Sequence, residues 1–296
     1  MTSTAVSTAV ELVNAPLLYK GKVRELYDLG DEVLIVVTDR ISAFDYVLDP
    51  AVPDKGNVLN RLSAFWFGQT SELMENHVVH IDVDKLGDIA KDREALRNRI
   101  MVVRKAQRID IECVVRGCIT GGGWRQYQET GEVNGIELPK GLRKNAVLAE
   151  PIFTPAAKND VGHDEDIPFE RMQELIGAEL ALELKEKSLA LFAFAREYCE
   201  ERGIILADCK FEFGLLDGKV ILIDEIFTPD ASRFWAKDKY ALDMEIDSMD
   251  KEPVRAYLAA SSWDKNSKPD PLPPEVVEET TRRYLDIYHR LTGKSL

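Results

Sequence analysis

Strand signals crowd the front of this chain and helix signals the back, and that segregation constrains the fold more than any single motif. "LLYKGKVRELYDLGDEVLIVVTD" (17–39) alternates apolar and polar residues and then runs VLIVV. It predicts two strands joined by a turn at Leu29-Gly30-Asp31. "IMVVRKA" (100–106) and "IECVV" (111–115) predict two more strands. Residues 57–76 carry apolar side chains near a 3.6 period and predict a helix. Residues 169–202 are strongly helical and predict two helices. The segment 273–293 opens on prolines, suited to a helix N-terminus, and closes near a glycine. Strands segregated from helices predict an α+β chain in two lobes. The expected division is a β-rich N-terminal lobe over 1–115, with 1–16 a frayed tail, and a helix-rich lobe over 116–296 around one β-hairpin. The boundary falls near 110–118.

A length of 296 residues allows two such lobes. The net charge of −14 argues against a protein that coats nucleic acid or an anionic membrane. It leaves room for a small anionic substrate held by a local group of arginines. No run of about 18 apolar residues is present, and "MTSTAVSTAV" lacks the basic region and apolar core of a secretory signal. The cysteines Cys113, Cys118, Cys199 and Cys209 form no CxxC pair, so reduced thiols in the cytoplasm are the simplest account. Four scattered histidines make a zinc site improbable. Small-molecule partners and a monomer or small homo-oligomer are expected.

The hairpin is "CKFEFGLLDGKVILIDEIFTPD" (209–230), which sets charges on otherwise apolar arms. A three-residue turn at Leu216-Asp217-Gly218 would place Lys210 opposite Asp224 and Glu212 opposite Leu222. Lys210, Glu212 and Asp224 would then share one face, with Phe211 and Phe213 on the other. A two-residue turn would send Asp224 to the face opposite Glu212. Two carboxylates on adjacent strands suit Mg²⁺, and the lysine beside them suits phosphate oxygens. A solvated face of cross-strand ion pairs accounts for the hairpin equally well.

Other charged stretches carry weaker signals. In "YKGKVRELY" (19–27) Gly21 lies between two lysines inside a strand pattern, where a backbone can approach a ligand closely. Lys22 and Arg24 would share a face there; a basic edge strand reads the same. No GxxxxGK[ST] motif is present, and "TGGGW" is not a dinucleotide fingerprint. The loop "TDRISAFDYVLDPAVPDKGNVLN" (38–60) is dense in polar groups among apolar ones, which suggests an anchored loop with converging polar tips. Arg116 follows an apolar strand and Arg233 lies beside Phe234 and Trp235, so both are candidates for bidentate anion binding. "VGHDEDIPFE" (161–170) reads as a helix lead-in, a metal-facing loop or acidic surface.

In series, "GKVRELY", "DRISAFDYVL", "PDKG", "IECVVRGCITG", "FTPAAKNDVGHDEDI", "DCKFEFG" and "IDEIFTPDASRFW" resemble the successive motifs of the SAICAR synthetase family. They occur in family order over residues 19–240, and the C-terminal part is similar to that of the longer members. The resemblance implies a ligase of purine biosynthesis, cytoplasmic, that joins the carboxylate of carboxyaminoimidazole ribotide to the amine of L-aspartate using ATP and Mg²⁺. SAICAR, ADP and phosphate are the products, with an acyl phosphate as the expected intermediate. It also implies a nucleotide-binding N-terminal lobe similar to that of protein kinases.

By the same resemblance, Lys22 and Arg24 lie over the ATP phosphates, and 101–115, with Glu112, forms the adenine hinge. Lys210 touches phosphate, while Glu212 and Asp224 hold the metal. Arg116 and Arg233 grip the ribotide phosphate, and Ser42 and Asp45 seat the substrates. Asp208 is the candidate base for the aspartate amine. One departure stands out: many members have Gly-Ser where this chain has Gly121-Gly122. Backbone N–H groups of the triple glycine could take over from the missing hydroxyl at Gly122.

Overall fold

The computed structural model describes residues 5–44, 46–159, 164–264 and 267–296 and builds two main antiparallel sheets. In chain order, β1 (Leu17–Lys20), β2 (Arg24–Asp28) and β3 (Glu32–Val37) form a meander. The small hairpin β4 (Ile41–Ala43) and β5 (Tyr46–Leu48) leads to α1 (Lys55–Gln69). β6 (Val78–His80), the short α2 (Arg93–Leu96) and β7 (Ile100–Arg104) follow, and the first sheet has the order β1-β2-β3-β7-β6. Next come β8 (Gln107–Arg108), β9 (Ile111–Cys118), α3 (Gly121–Thr130), β10 (Glu132–Val133) and β11 (Ile136–Glu137). They are followed by β12 (Val147–Phe153), β13 (Ala156–Ala157), β14 (Glu165–Asp166), α4 (Phe169–Ile176) and α5 (Ala178–Glu200). β15 (Ile204–Leu216), β16 (Lys219–Ile223), β17 (Ser232–Ala236), α6 (Glu252–Ala260) and α7 (Pro274–Thr292) complete the chain.

The α+β class agrees with the expectation, but several particulars differ. The 17–39 segment makes three strands rather than two, because Gly21-Lys22-Val23 is itself a turn, closed by Gly21 N–H donating to Arg24 O at 2.8 Å. The back of the chain holds the larger, eight-stranded sheet, whose central path is β14-β13-β9-β15-β16. β12 adds to β9, and β8 and β17 add to β15. The two sheets divide at Lys105-Ala106, ahead of the expected boundary, since β9 belongs to the second sheet. One core nonetheless runs under both: Ile35, Val37, Met101 and Val103 of the first sheet pack in a cluster with Trp66, Phe192, Phe211, Phe213 and Tyr284.

The expected frayed tail is anchored from Val6 onward, residues 1–4 lying outside the described part. Its cause is a buried carboxylate. Glu25 on β2 is fully buried and needs donors. Ala9 N–H (2.8 Å), Thr8 Oγ1 (3.0 Å), Tyr27 OH (2.8 Å) and Arg40 Nη1 (2.7 Å) supply them. Burial pushes the Glu25 carboxyl up, but these hydrogen bonds more than offset it and hold it near 2. Val6 pairs with Asp39 through both backbone and side chain, and Ala9 and Val13 are buried against the far face of the first sheet.

The "PDKG" motif is explained by a close approach. A Cβ on Gly56 would lie 2.3 Å from Val37 O, so only glycine lets α1 start against the end of β3. The residue's N–H donates to Asp39 Oδ1 at 2.8 Å. α7 begins behind Pro273 and ends at Gly293 (φ 70), as its prolines and glycine predict. No helix among the described residues is long and apolar enough to cross a membrane. The four cysteines are buried as free thiols.

β15 changes phase along its length. Ile204 and Leu206 face the main core, and so do Cys209, Phe211 and Phe213. Even-numbered residues point inward before the change and odd-numbered ones after it. The register with β17 slips between Leu206 and Asp208, leaving Ala207 as the surplus residue of a β-bulge. The bulge turns Asp208, Lys210 and Glu212 away from the core and onto a common face.

Candidate active site

At its N-terminal end this face carries a cross-strand charge triad. Asp208 lies opposite Arg116 on β9 and opposite Arg233 on β17. Its carboxylate accepts a short hydrogen bond from Arg233 Nη1 and lies 3.7 Å from Arg116 Nη1. Arg116 is buried and also donates Nε–H to Thr154 Oγ1 at 3.0 Å. Both guanidiniums abut the first turn of α3: a Cβ on Gly121 would lie 2.8 Å from Arg233 Nη2, and one on Gly123 3.3 Å from Arg116 Cδ. The expected pair of arginines is therefore brought together beside a helix N-terminus, whose free N–H groups favour an anion. Asp208 does not fit the role of a base, because two guanidiniums already engage its carboxylate. It forms ion pairs with both arginines.

The triple glycine is not a loop but the start of α3. Gly121 alone has positive φ (+55), while a Cβ on Gly122 would meet nothing nearer than Arg125 Nη2 at 3.8 Å. The conformational requirement for glycine thus falls at Gly121, not at Gly122, where the sequence reading places the departure from the motif it resembles.

Farther along β15, Lys210 Nζ donates to Glu112 Oε1 at 2.8 Å. Burial pulls the Lys210 ammonium down, but the charges of Glu112, Glu225 and Glu212 hold it above its usual value. The carboxylate of Glu112, expected at an adenine hinge, is the one that holds Lys210. The next residue on this face, Glu212, accepts from Lys158 Nζ at 2.6 Å.

The hairpin's turn differs from the expected one. Leu216 pairs with Lys219 and Glu212 with Ile223, so the turn is the two-residue Asp217-Gly218, both at positive φ. By strand alternation alone, Asp224 would point away from Glu212. The two carboxylates still converge, because β16 ends at Ile223 and Asp224 adopts φ 66, which redirects its side chain. Burial and then the nearby Asp224 charge push the Glu212 carboxyl up to about 7. Burial acts on Asp224 in the same direction, but Arg24 outweighs it and holds that carboxyl below its usual range. Arg24 bridges Asp224 and Glu225 through short ion pairs, tying β2 of the first sheet to the end of β16.

Lys22 sits exposed in the β1–β2 turn. That turn is held from below by Arg40, which donates to Lys22 O and Gly21 O, both at 2.9 Å. Ser42 is half-buried in β4, and Asp45 lies outside the described residues. The sequence reading passed over Lys158 and gave no role to Glu225 or Arg40. It also missed a buried pair behind the site. Lys55, with a fully buried side chain, donates to Asp230 Oδ2 at 2.7 Å, and Tyr284 OH donates to Asp230 Oδ1 at 2.6 Å. A lysine among apolar residues in "TPAAKND" and in "VPDKG" was the available signal.

Two arginines, Lys210, Lys158 and a pair of carboxylates gathered along β15 suit an enzyme that acts on anionic, phosphorylated substrates. Comparison with known proteins narrows the class. The SAICAR synthetase profile matches residues 17–270. The phosphoribosylaminoimidazole-succinocarboxamide synthase of Pelobacter propionicus is 46% identical over 282 residues, 95% of each chain. That of Geobacter sulfurreducens is 47% identical over 277 residues, 93% of this chain and 94% of the other. Among solved structures, the SAICAR synthase of Saccharomyces cerevisiae complexed with SAICAR superposes with a TM-score of 0.86 at 37% identity, covering 95% of this chain and 96% of that one. A SAICAR synthetase in complex with ADP gives 0.70 at 25% identity, covering 95% and 99%. The chain belongs to the SAICAR synthetase family, the ATP-dependent carbon–nitrogen ligases of purine biosynthesis that join carboxyaminoimidazole ribotide to L-aspartate.

Proposed function

We propose that this site performs the family's ligation through an acyl phosphate, with its groups arranged along β15. An amine does not displace oxide from a carboxylate, so the carboxylate needs activation first. A ribotide carboxylate oxygen attacks the γ-phosphorus. An O–P bond forms, the bridging β–γ bond breaks, and ADP leaves. The aspartate amine then attacks the acyl carbon. A C–N bond forms, the C–O bond to phosphate breaks, and the nitrogen, which attacks as the free amine, gives up one proton to the departing inorganic phosphate and keeps the other as the amide N–H. Arg116, Arg233 and the N–H groups at the start of α3 hold the ribotide's own phosphate. Lys210, kept in place by Glu112, and Lys22 in the β1–β2 turn face the triphosphate, while Arg24, expected over the phosphates, is bound between Asp224 and Glu225 and braces those carboxylates instead. Ser42, with Asp45, seats the substrates.

Glu212 and Asp224 suit Mg²⁺. Both offer hard oxygen donors, and the Asp224 charge adds to burial in pushing the Glu212 carboxyl up, a repulsion that a bound cation would relieve. Among the described residues no group of three or more His, Cys, Asp or Glu side chains is placed to hold a metal. Water and phosphate oxygens would therefore complete the shell, as is usual for this ion. Bound there, Mg²⁺ would neutralise charge on the transferring phosphoryl group.

The observation that carries the reading is the common face of Asp208, Lys210 and Glu212. Along that face, Asp208 meets the two arginines of β9 and β17 at one end and Glu212 meets Asp224 from the end of β16 at the other, with Lys210 between them. The test uses ribotide labelled with ¹⁸O in its carboxylate, in a full reaction with ATP and aspartate. One label should appear in the released phosphate, and phosphate release should need all three substrates. Unlabelled phosphate would overturn the acyl phosphate.

A further inference from the structure

The β4–β5 hairpin, which carries Ser42, has an unusual bed. Its buried apolar residues Ile41, Ala43 and Leu48 pack in one cluster with Val52 and with Val254, Leu258, Leu272 and Val277. Apart from Val52, the support comes entirely from the last part of the chain, from α6, α7 and the segment between them. The same segment is tied to the hairpin's exit by polar contacts. Leu272 N–H donates to Asp49 O at 2.6 Å, and Lys268 Nζ donates to Asp49 Oδ2 at 2.6 Å.

At the tip of the hairpin the backbone is strained. Phe44 has φ 49, a left-handed conformation that a bulky residue adopts only when its surroundings impose it. The side chain placed to impose it is Trp263. Its ring meets Phe44 edge-on at 5.7 Å between centroids and Tyr46 edge-on at 5.5 Å, so it grips the residues on both sides of position 45. The indole is itself fixed, with Nε1–H donating to Ser267 O at 2.6 Å. Trp263 is far from β15 in the chain and carries no group that could react.

We infer that Trp263 is a positioning residue of the substrate site: it holds the strained Phe44 turn, and through it Ser42, in the conformation that receives substrate. The inference rests on the assignment of Ser42 to substrate seating. Its physical content is a population. If the turn holds its competent conformation only a fraction of the time, apparent affinity falls by that fraction while the chemistry of the bound complex is unchanged. Each edge-on aromatic pair contributes roughly two- to twelvefold to such an equilibrium. Losing both contacts should cost about tenfold.

The experiment compares Trp263→Ala, Trp263→Phe and Ser42→Ala in the full-length chain, with KM measured for ribotide, aspartate and ATP, and with kcat and thermal midpoints. Trp263→Ala should raise the KM of ribotide or of aspartate about tenfold. The KM of ATP, which is seated at the β1–β2 turn, and kcat should stay within about twofold, because neither depends on the turn's population. Trp263→Phe keeps an aromatic edge against both neighbours and should restore most of the affinity. If Trp263→Ala leaves every KM unchanged while Ser42→Ala raises one, the positioning role is refuted and the reading of Ser42 stands. If Ser42→Ala itself changes neither KM, the seating assignment fails, and the inference falls with it. A loss of kcat and of affinity for all three substrates together, unrescued by phenylalanine, would show general structural damage and overturn the inference.

Discussion

Replacing Gly121 by alanine should damage the ribotide phosphate site and little else. The residue has φ +55, and a Cβ there would lie 2.8, 3.1 and 3.2 Å from three atoms of the Arg233 guanidinium. Two costs follow. The left-handed backbone penalises a side chain by about 1–2 kcal/mol, which appears as lost stability, a few degrees in Tm. The steric cost is small, because a guanidinium is the movable end of a long side chain. Its consequence is not small: Arg233 must leave the N-terminus of α3 or its hydrogen bond to Asp208. Forfeiting a charge-assisted hydrogen bond to a ligand phosphate costs about 1.5–3 kcal/mol, roughly ten- to a hundredfold. Steady-state kinetics should show ribotide KM raised by that factor and ATP KM nearly unchanged. Gly122→Ser is the control. Its Cβ meets open space at ordinary φ, so the hydroxyl adds a donor without strain, and ribotide binding by calorimetry should tighten a few-fold. A folded Gly121→Ala enzyme with unchanged ribotide KM would refute the placement of the phosphate between Arg233 and α3.

Asp224→Asn should lower turnover and weaken Mg²⁺-ATP binding by about ten- to a hundredfold, the scale of one charge-assisted contact, with the fold intact by circular dichroism. Near-normal activity at saturating Mg²⁺ would remove Asp224 from the metal site. Glu25 should shape acid stability. Its folded value near 2 lies below the ordinary 4.5, so its contribution is fully present above pH 4.5 and is lost as pH falls toward 2. The difference amounts to about 3 kcal/mol. Denaturant unfolding between pH 6 and 3 should show a shallower acid loss in Glu25→Gln than in the parent, from a lower starting stability; parallel curves would contradict the reading.

The long periodic elements were legible: α4, α5 and α7 lie where the 3.6 period and the prolines and glycine put them, and Phe211 and Phe213 are buried as their alternation requires. What escaped depends on single backbone states or on distant partners. The Asp217-Gly218 dipeptide suits a two-residue turn while the charge pattern suits a three-residue one, and only the pairing of Leu216 with Lys219 decides between them. Nothing local announces that Asp224 takes φ 66, the feature that brings it back toward Glu212. The N-terminal segment reads as a tail because its burial is decided by Glu25, a residue on another strand. The eight-stranded sheet was reduced to a hairpin because β12 and β17 lack clean alternation, and β8, β13 and β14 are only two residues each. Membership of the SAICAR synthetase family, by contrast, was visible from the order of its motifs alone.

The surplus residue at Ala207 makes β15 behave like a keyed shaft. N-terminal to the key, even-numbered side chains go to the core; C-terminal to it, odd-numbered ones do. A single-residue insertion or deletion between the key and Glu212 would carry part of the charged row inward and a phenylalanine out, since one step reverses every side chain beyond it. Change in this strand is thus restricted to substitutions or to steps of two. A step of two moves a functional group about 6.6–6.8 Å along the strand, farther than the reach of any ion pair it now makes. A change in what this face meets is therefore easier to make around the strand, at the start of α3, the β1–β2 turn or the β4–β5 hairpin, than in the spacing of Asp208, Lys210 and Glu212.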